Sequence, residues 1–106
     1  MISAEFRLEQ GRYTAFAVSG HAMFSRYGQD IVCASVSSAL QLTVNGVTEI
    51  LKVPAEVAVG ENEISMKLPA DGESDAANAF LCAFCLQLQL LQEDFPKNIK
   101  LTISEV

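Results

Sequence analysis

Residues 2–19, ISAEFRLEQGRYTAFAVS, alternate apolar and polar side chains on both sides of one break. Ile2, Ala4, Phe6 and Leu8 share one side, Glu9-Gln10-Gly11-Arg12 supplies a turn, and Phe16 and Val18 resume the same phase. A period of two interrupted by a glycine-bearing turn predicts a β-hairpin with one face turned to a core. Glu5 and Glu9 within that alternation also mark the opening as a strand and not a signal peptide.

Two further strands are expected from Glu56 to Val59 and from Glu63 to Leu68, turning at Gly60-Glu61-Asn62. A last strand holds Ile99, Leu101 and Ile103 after Pro96. Between these lie two segments of helical period. Asp30 is a plausible N-cap for a helix reaching about Lys52 before Pro54. Its apolar stripe is Val32, Val36, Ala39, Leu40, Val47, Ile50 and Leu51. Gly46 inside it bends the helix or ends it early. The second helix runs from about Ser74 to Glu93, with Asp71, Glu73 and Asp75 near its positive N-terminal end. The order ββαββαβ predicts an α/β fold of two layers, a mixed sheet with two helices on it.

The second helix carries more apolar surface than a sheet requires. Ala77, Phe80, Leu81, Phe84, Leu88 and Leu91 make one stripe, and Ala79, Cys82, Ala83, Leu86 and Leu90 make another nearly opposite. That surplus is expected to be buried either by helix-on-helix packing within the domain or by a homodimer.

The 106 residues suit one domain; half are apolar and 19% charged, which excludes a disordered chain. Seven Lys and Arg against thirteen Asp and Glu leave a net charge of −6. So acidic a chain, with no Trp and no basic stripe, argues against nucleic acid as a partner. No unbroken apolar run approaches the roughly 18 residues of a membrane span. Three cysteines cannot all pair within one chain, and a reducing cytoplasm is the expected compartment.

The segment from Ser19 to Asp30 has neither period and reads as a long loop, of the kind that carries function. It holds the one histidine, His21; twelve positions on, Cys33 falls in the first turn of a helix. Unpaired backbone N–H groups and the dipole at a helix N-terminus favour an anion, so a thiol there ionises more readily. A nearby imidazole would favour the thiolate and shuttle its proton, and the amides around Cys33 and Ala34 would serve a developing oxyanion. From the residues alone, a core cysteine and an incidental histidine remain the ordinary alternative. Cys82 and Cys85 form C-x-x-C, which with His21 and Cys33 would make four zinc ligands. Their place in mid-helix among Phe80, Leu81, Phe84 and Leu86 instead predicts buried packing, no metal and no cofactor.

Gly20-His21, then Gly28-Gln29-Asp30-Ile31-Val32-Cys33, then Ala34-Ser35-Val36-Ser37 resembles the ribosomal-processing cysteine protease family Prp. Length and element order agree, so the resemblance covers the chain as a single Prp-like domain over 1–106. It implies a cysteine endopeptidase that removes the N-terminal extension of large-subunit ribosomal protein twenty-seven, with that precursor as its partner. Cys33 would be the nucleophile and His21 the general base and then acid, in a homodimer. An acidic enzyme would attract the basic substrate. Asp30 would cap the helix, bind substrate or orient His21. Ser37, one turn after Cys33, would line the cleft or stand as an ordinary helix serine. The loop Ala22 to Tyr27 would cover the cleft, hinged by Gly20 and Gly28. The competing class is a non-catalytic binding module for a ribosomal protein during assembly, which would need neither thiolate nor imidazole.

Overall fold

The opening alternation folds as the hairpin it suggests. Strands β1 (Ile2–Glu9) and β2 (Arg12–Ser19) pair antiparallel. Gln10 and Gly11 turn the chain with φ of 52° and 78°. Two successive positive φ values make the two-residue turn whose twist matches that of the strands it joins. The computed structural model describes residues 1–20, 31–70 and 74–106. His21, the loop Ala22 to Tyr27, Gly28, Asp30, Asp71 and Glu73 lie outside the described residues.

The remaining strands are β3 (Glu56–Val59), β4 (Glu63–Lys67) and β5 (Ile99–Glu105). They complete a five-stranded sheet in the order β3-β4-β2-β1-β5. Only β5 runs parallel to its neighbour, so the sheet is mixed as expected. Strand alternation sends Ile2, Ala4, Phe6, Phe16, Val18, Met66 and Ile99 to one buried face. Glu5, Arg7, Lys67 and Lys100 stay exposed on the strands' alternate positions.

Both helices lie over the buried face. Helix α2 (Asp75–Asp94) begins where the Ser74 side chain accepts a hydrogen bond from the Ala77 N–H at 3.1 Å, satisfying one open amide of the first turn. It packs against β2 and β5. Ala77, Leu81, Phe84 and Leu88 are fully enclosed. Phe84 meets Phe16 and Phe6 at centroid separations of 5.0 and 5.6 Å in edge-to-face geometry, which favours aromatic pairs beyond the area they bury.

The second stripe of α2 is a correction to one of the two expectations. Leu86 and Leu90 are 55% and 47% exposed, and Ala79, Cys82 and Ala83 are not enclosed beside them. Packing between the two helices within the domain therefore does not cover this stripe. Phe80 meets Gly46 just beyond α1, and Phe80, Ala83 and Phe84 line the groove between the two helices.

Helix α1 (Ile31–Asn45) ends short of Lys52, at the glycine that suggested a bend. A single wide turn, Gly46–Ile50, succeeds it and closes with the Leu51 N–H on the Gly46 carbonyl at 2.9 Å. A Cβ at Gly46 would fall 2.5 Å from the Phe80 ring, so the missing side chain admits α2 there. The five-residue hydrogen bond adds a residue to that turn and rotates the positions beyond it. Ile50, expected on the buried stripe, is consequently 75% exposed. Val32, Val36, Leu40 and Val47 are buried as expected. By length and composition Ile31–Ile50 matches a membrane-crossing helix, but this side of it packs into the core of the sheet domain.

Candidate active site

The course of the chain brings the candidate nucleophile to one end of the sheet. Helix α1 runs away from that end, because Gly46 at its far end meets Phe80 early in α2. Helix α2 runs back, and β5 starts beside Ile2, whose N–H donates to the Asn98 carbonyl at 2.8 Å. The first turn of α1, the end of β2 at Ser19 and the β3–β4 turn thus share an end.

Cys33 is the third residue of α1 and 6% exposed. At 100° per residue, Val32, Val36, Leu40, Thr43 and Val47 point into the core. Ser35, Ala39 and Leu42 fall on the flank that forms a groove with Phe80, Ala83 and Gln87 of α2. Cys33, Ser37 and Val44 fall on the opposite flank, away from α2. Since α2 occupies the β2–β1–β5 side of the sheet, that flank looks toward β4 and β3. Cys33 and Ser37 therefore share a side, as their spacing of four predicts, and Ser37 is half-buried there.

Gly20 closes β2 immediately before the histidine. Its φ is +131°, and a Cβ would lie 2.4 Å from the Met1 carbonyl oxygen. Its N–H donates to the Asn62 carbonyl at 3.3 Å. Glycine is required here by a close backbone approach.

The other two cysteines part company. Cys85 is buried as expected, whereas Cys82 is exposed, with its sulfur 3.5 Å from Asn78 Oδ1. The Tyr13 hydroxyl pairs with the Cys85 sulfur. Burial, aided by that hydrogen bond, pushes the phenol up to about 12. Burial likewise pushes the Cys85 thiol up, against the opposing pull of the Tyr13 bond. The Cys85 environment thus does not activate its thiol. All three cysteines are reduced, and no cluster of metal ligands occurs among the described residues.

One feature of the Cys33 flank is absent from the periodicity. Val57 and Val59, which alternation would assign to a core, are 41% and 74% exposed because neither helix reaches β3. Both side chains lie on the sheet's helix-bearing face, in register with Met66 and Ile64 of β4.

Comparison with known proteins gives a consistent answer. Residues 1–100 match the family model for the cysteine protease Prp. The chain is 29% identical over 94 residues to the ribosomal processing cysteine protease Prp of Staphylococcus aureus, covering 88% of this chain and 89% of that one. It is 26% identical over 108 residues to the Bacillus subtilis protein of the same name, covering 96% of each. A solved structure of an essential ribosomal processing protease Prp from S. aureus, in complex with a covalently linked product peptide, superposes with a TM-score of 0.87. It shares 26% identity, over 98% of this chain and 100% of that chain. A buried thiol in the first turn of α1, on a sheet of this topology and with this family match, makes the chain a cysteine protease and a member of the Prp family.

Proposed function

We propose that this protease, as one domain over 1–106, removes the N-terminal extension of large-subunit ribosomal protein twenty-seven. The observation that carries the reading is the position of Cys33, at the start of α1 and on the flank facing the uncovered strand β3. The names of the S. aureus and B. subtilis relatives support a ribosomal substrate and a cytoplasmic site of action.

The Cys33 thiolate attacks the scissile carbonyl carbon, and the carbonyl electrons move to oxygen, held by first-turn amides of α1. As the tetrahedral adduct collapses, the C–N bond breaks and the His21 imidazolium gives its proton to the departing amine. A water then attacks the thioester while His21 takes a proton from it. Collapse of that second adduct restores the Cys33 thiolate and releases the peptide as a carboxylic acid, which gives its proton to solvent to become the carboxylate. By the matching motif, Gly20, Gly28, Asp30 and Ser37 are the supporting residues, and Gly20 is packed against Met1. The reaction needs no cofactor or metal.

A homodimer formed through the exposed α2 stripe completes the reading, supported by Leu86 and Leu90 standing in solvent. Sedimentation of Leu86→Glu as a monomer, beside a dimeric parent, would bear this out.

The deciding experiment mixes enzyme with the precursor ribosomal protein and weighs the products. Two fragments with wild type and intact precursor with Cys33→Ala are expected. Uncleaved precursor with a reduced, accessible wild-type thiol would sink the assignment. Precursor that binds equally to both proteins without cleavage would favour a recruiting module.

A further inference from the structure

Both helices are uncharged along nearly their whole length. From Ile31 to Thr48 and from Ala76 to Gln92 the sequence has no Asp, Glu, Lys or Arg. Between the helices lies a groove, lined by Ala34, Ser35, Ser38 and Ala39 of α1 and by Phe80 and Ala83 of α2. The small side chains of α1 leave it open. Leu86 and Leu90 stand exposed on α2, one turn or two beyond Ala83. One surface thus presents both a ridge and a groove. A two-fold interface needs such a patch, because the same surface meets itself. The charge pattern selects the same occupant. A chain of net charge −6 repels its own copies wherever carboxylates approach, and these uncharged helices let two copies meet without that cost.

Along α1 the groove reaches Ala34 and Ser35, the two residues that follow Cys33. Val32 and Val36 fix the first turn from the core side, whereas Ala34 is exposed on the outer side. That turn holds the open amides which the chemistry above uses for the oxyanion. Resting on the protease and dimer readings above, we propose that a second copy seats Leu86 and Leu90 in this groove and braces the first turn of α1, so that efficient turnover belongs to the dimer. The partner's leucines are positioning residues: they lie on the flank opposite Cys33 and do not touch the reacting atoms. Oxyanion contacts strengthen only in the transition state, so loss of the brace lowers kcat and leaves KM nearly unchanged. A shift of about 1 Å at a reacting group is enough to cost about 10²-fold.

The test follows precursor cleavage while wild type is diluted through dissociation of the dimer, with sedimentation at the same concentrations. Turnover per Cys33 thiol is expected to fall about tenfold or more as monomer replaces dimer, at nearly constant KM. Leu86→Glu on the ridge and Ser38→Arg in the groove are each expected to sediment as folded monomers with the same lowered kcat. Should either fail to fold, the dilution series on wild type decides alone. A dimeric Ser38→Arg, or a folded monomer that keeps full kcat, overturns this inference while both earlier readings stand. Wild type that is monomeric at every concentration brings down the dimer reading and this inference with it. Wild type that leaves the precursor intact brings down the protease reading, and the inference again falls.

Discussion

The two borders of the sheet are finished differently. Along β5, α2 packs over the strand, Ile99 is buried, and the Gln92 side chain accepts the Leu101 N–H at 2.7 Å. Along β3, nothing among the described residues covers the strand, and all four of its residues are exposed. A side chain takes an amide at one border, and at the other two valines sit in water. Exposed apolar edges invite pairing with other chains. The open border is the one that the Cys33 flank of α1 faces.

The largest effect expected from this contrast is chemical. Cys33 looks toward β3, whereas Cys85 is enclosed beneath α2 against Tyr13. Cys33→Ala should lower precursor cleavage by about 10³-fold or more, because the covalent route is lost. Cys85→Ala should retain cleavage and lose only stability. Similar activities in the two variants would erase the distinction between the flanks.

Next comes stability at the borders themselves. Ile99→Ala should cost about 2–5 kcal/mol in urea unfolding, as a buried large-to-small change leaves a cavity. Val59→Ala should fall within about 0.5 kcal/mol of wild type, since that side chain is already in solvent. Equal costs would show that β3 is covered in solution. Gln92→Ala is smaller, about 1 kcal/mol, for the hydrogen bond on the Leu101 amide. An unchanged midpoint would mean that water replaces the glutamine without loss.

The finest test concerns the enclosed side at alkaline pH. Tyr13 stays neutral in the fold up to about 12 but ionises near 10 when unfolded. Its contribution is thus complete below pH 10 and is lost as pH rises toward 12. The Cys85 thiol, also pushed up, loses its share from its ordinary value upward. Melting temperatures of Tyr13→Phe between about pH 8 and pH 11.5 should fall less steeply than those of wild type. Parallel curves would mean that the phenol is not enclosed.

Much of the fold could be read from periodicity, because burial of one face imposes a period of two on strands and near 3.6 on helices. The hairpin from Ile2 to Ser19, the five strands and both helices come from it. Ile50 escaped this reading because the wide turn after Gly46 shifts the phase, and that turn lies where the Phe80 ring is admitted. Val57 and Val59 escaped it because alternation says which residues share a face, not whether a helix lies over that face. At the site, Cys33 and Ser37 could be placed on one side from spacing alone. That this side looks away from α2 could not.

What the chain determined by itself is local: where strands and helices form, where Gly20 and Gly46 interrupt them, and the motif that ties Gly20-His21 to Cys33. Those arise from forces between near neighbours, which a linear string records. Which border stays open, which apolar stripe meets water and which thiol faces the open strand were decided by tertiary packing. Two helices on a five-stranded sheet cannot cover every strand, and only the folded chain fixes which strand is left out.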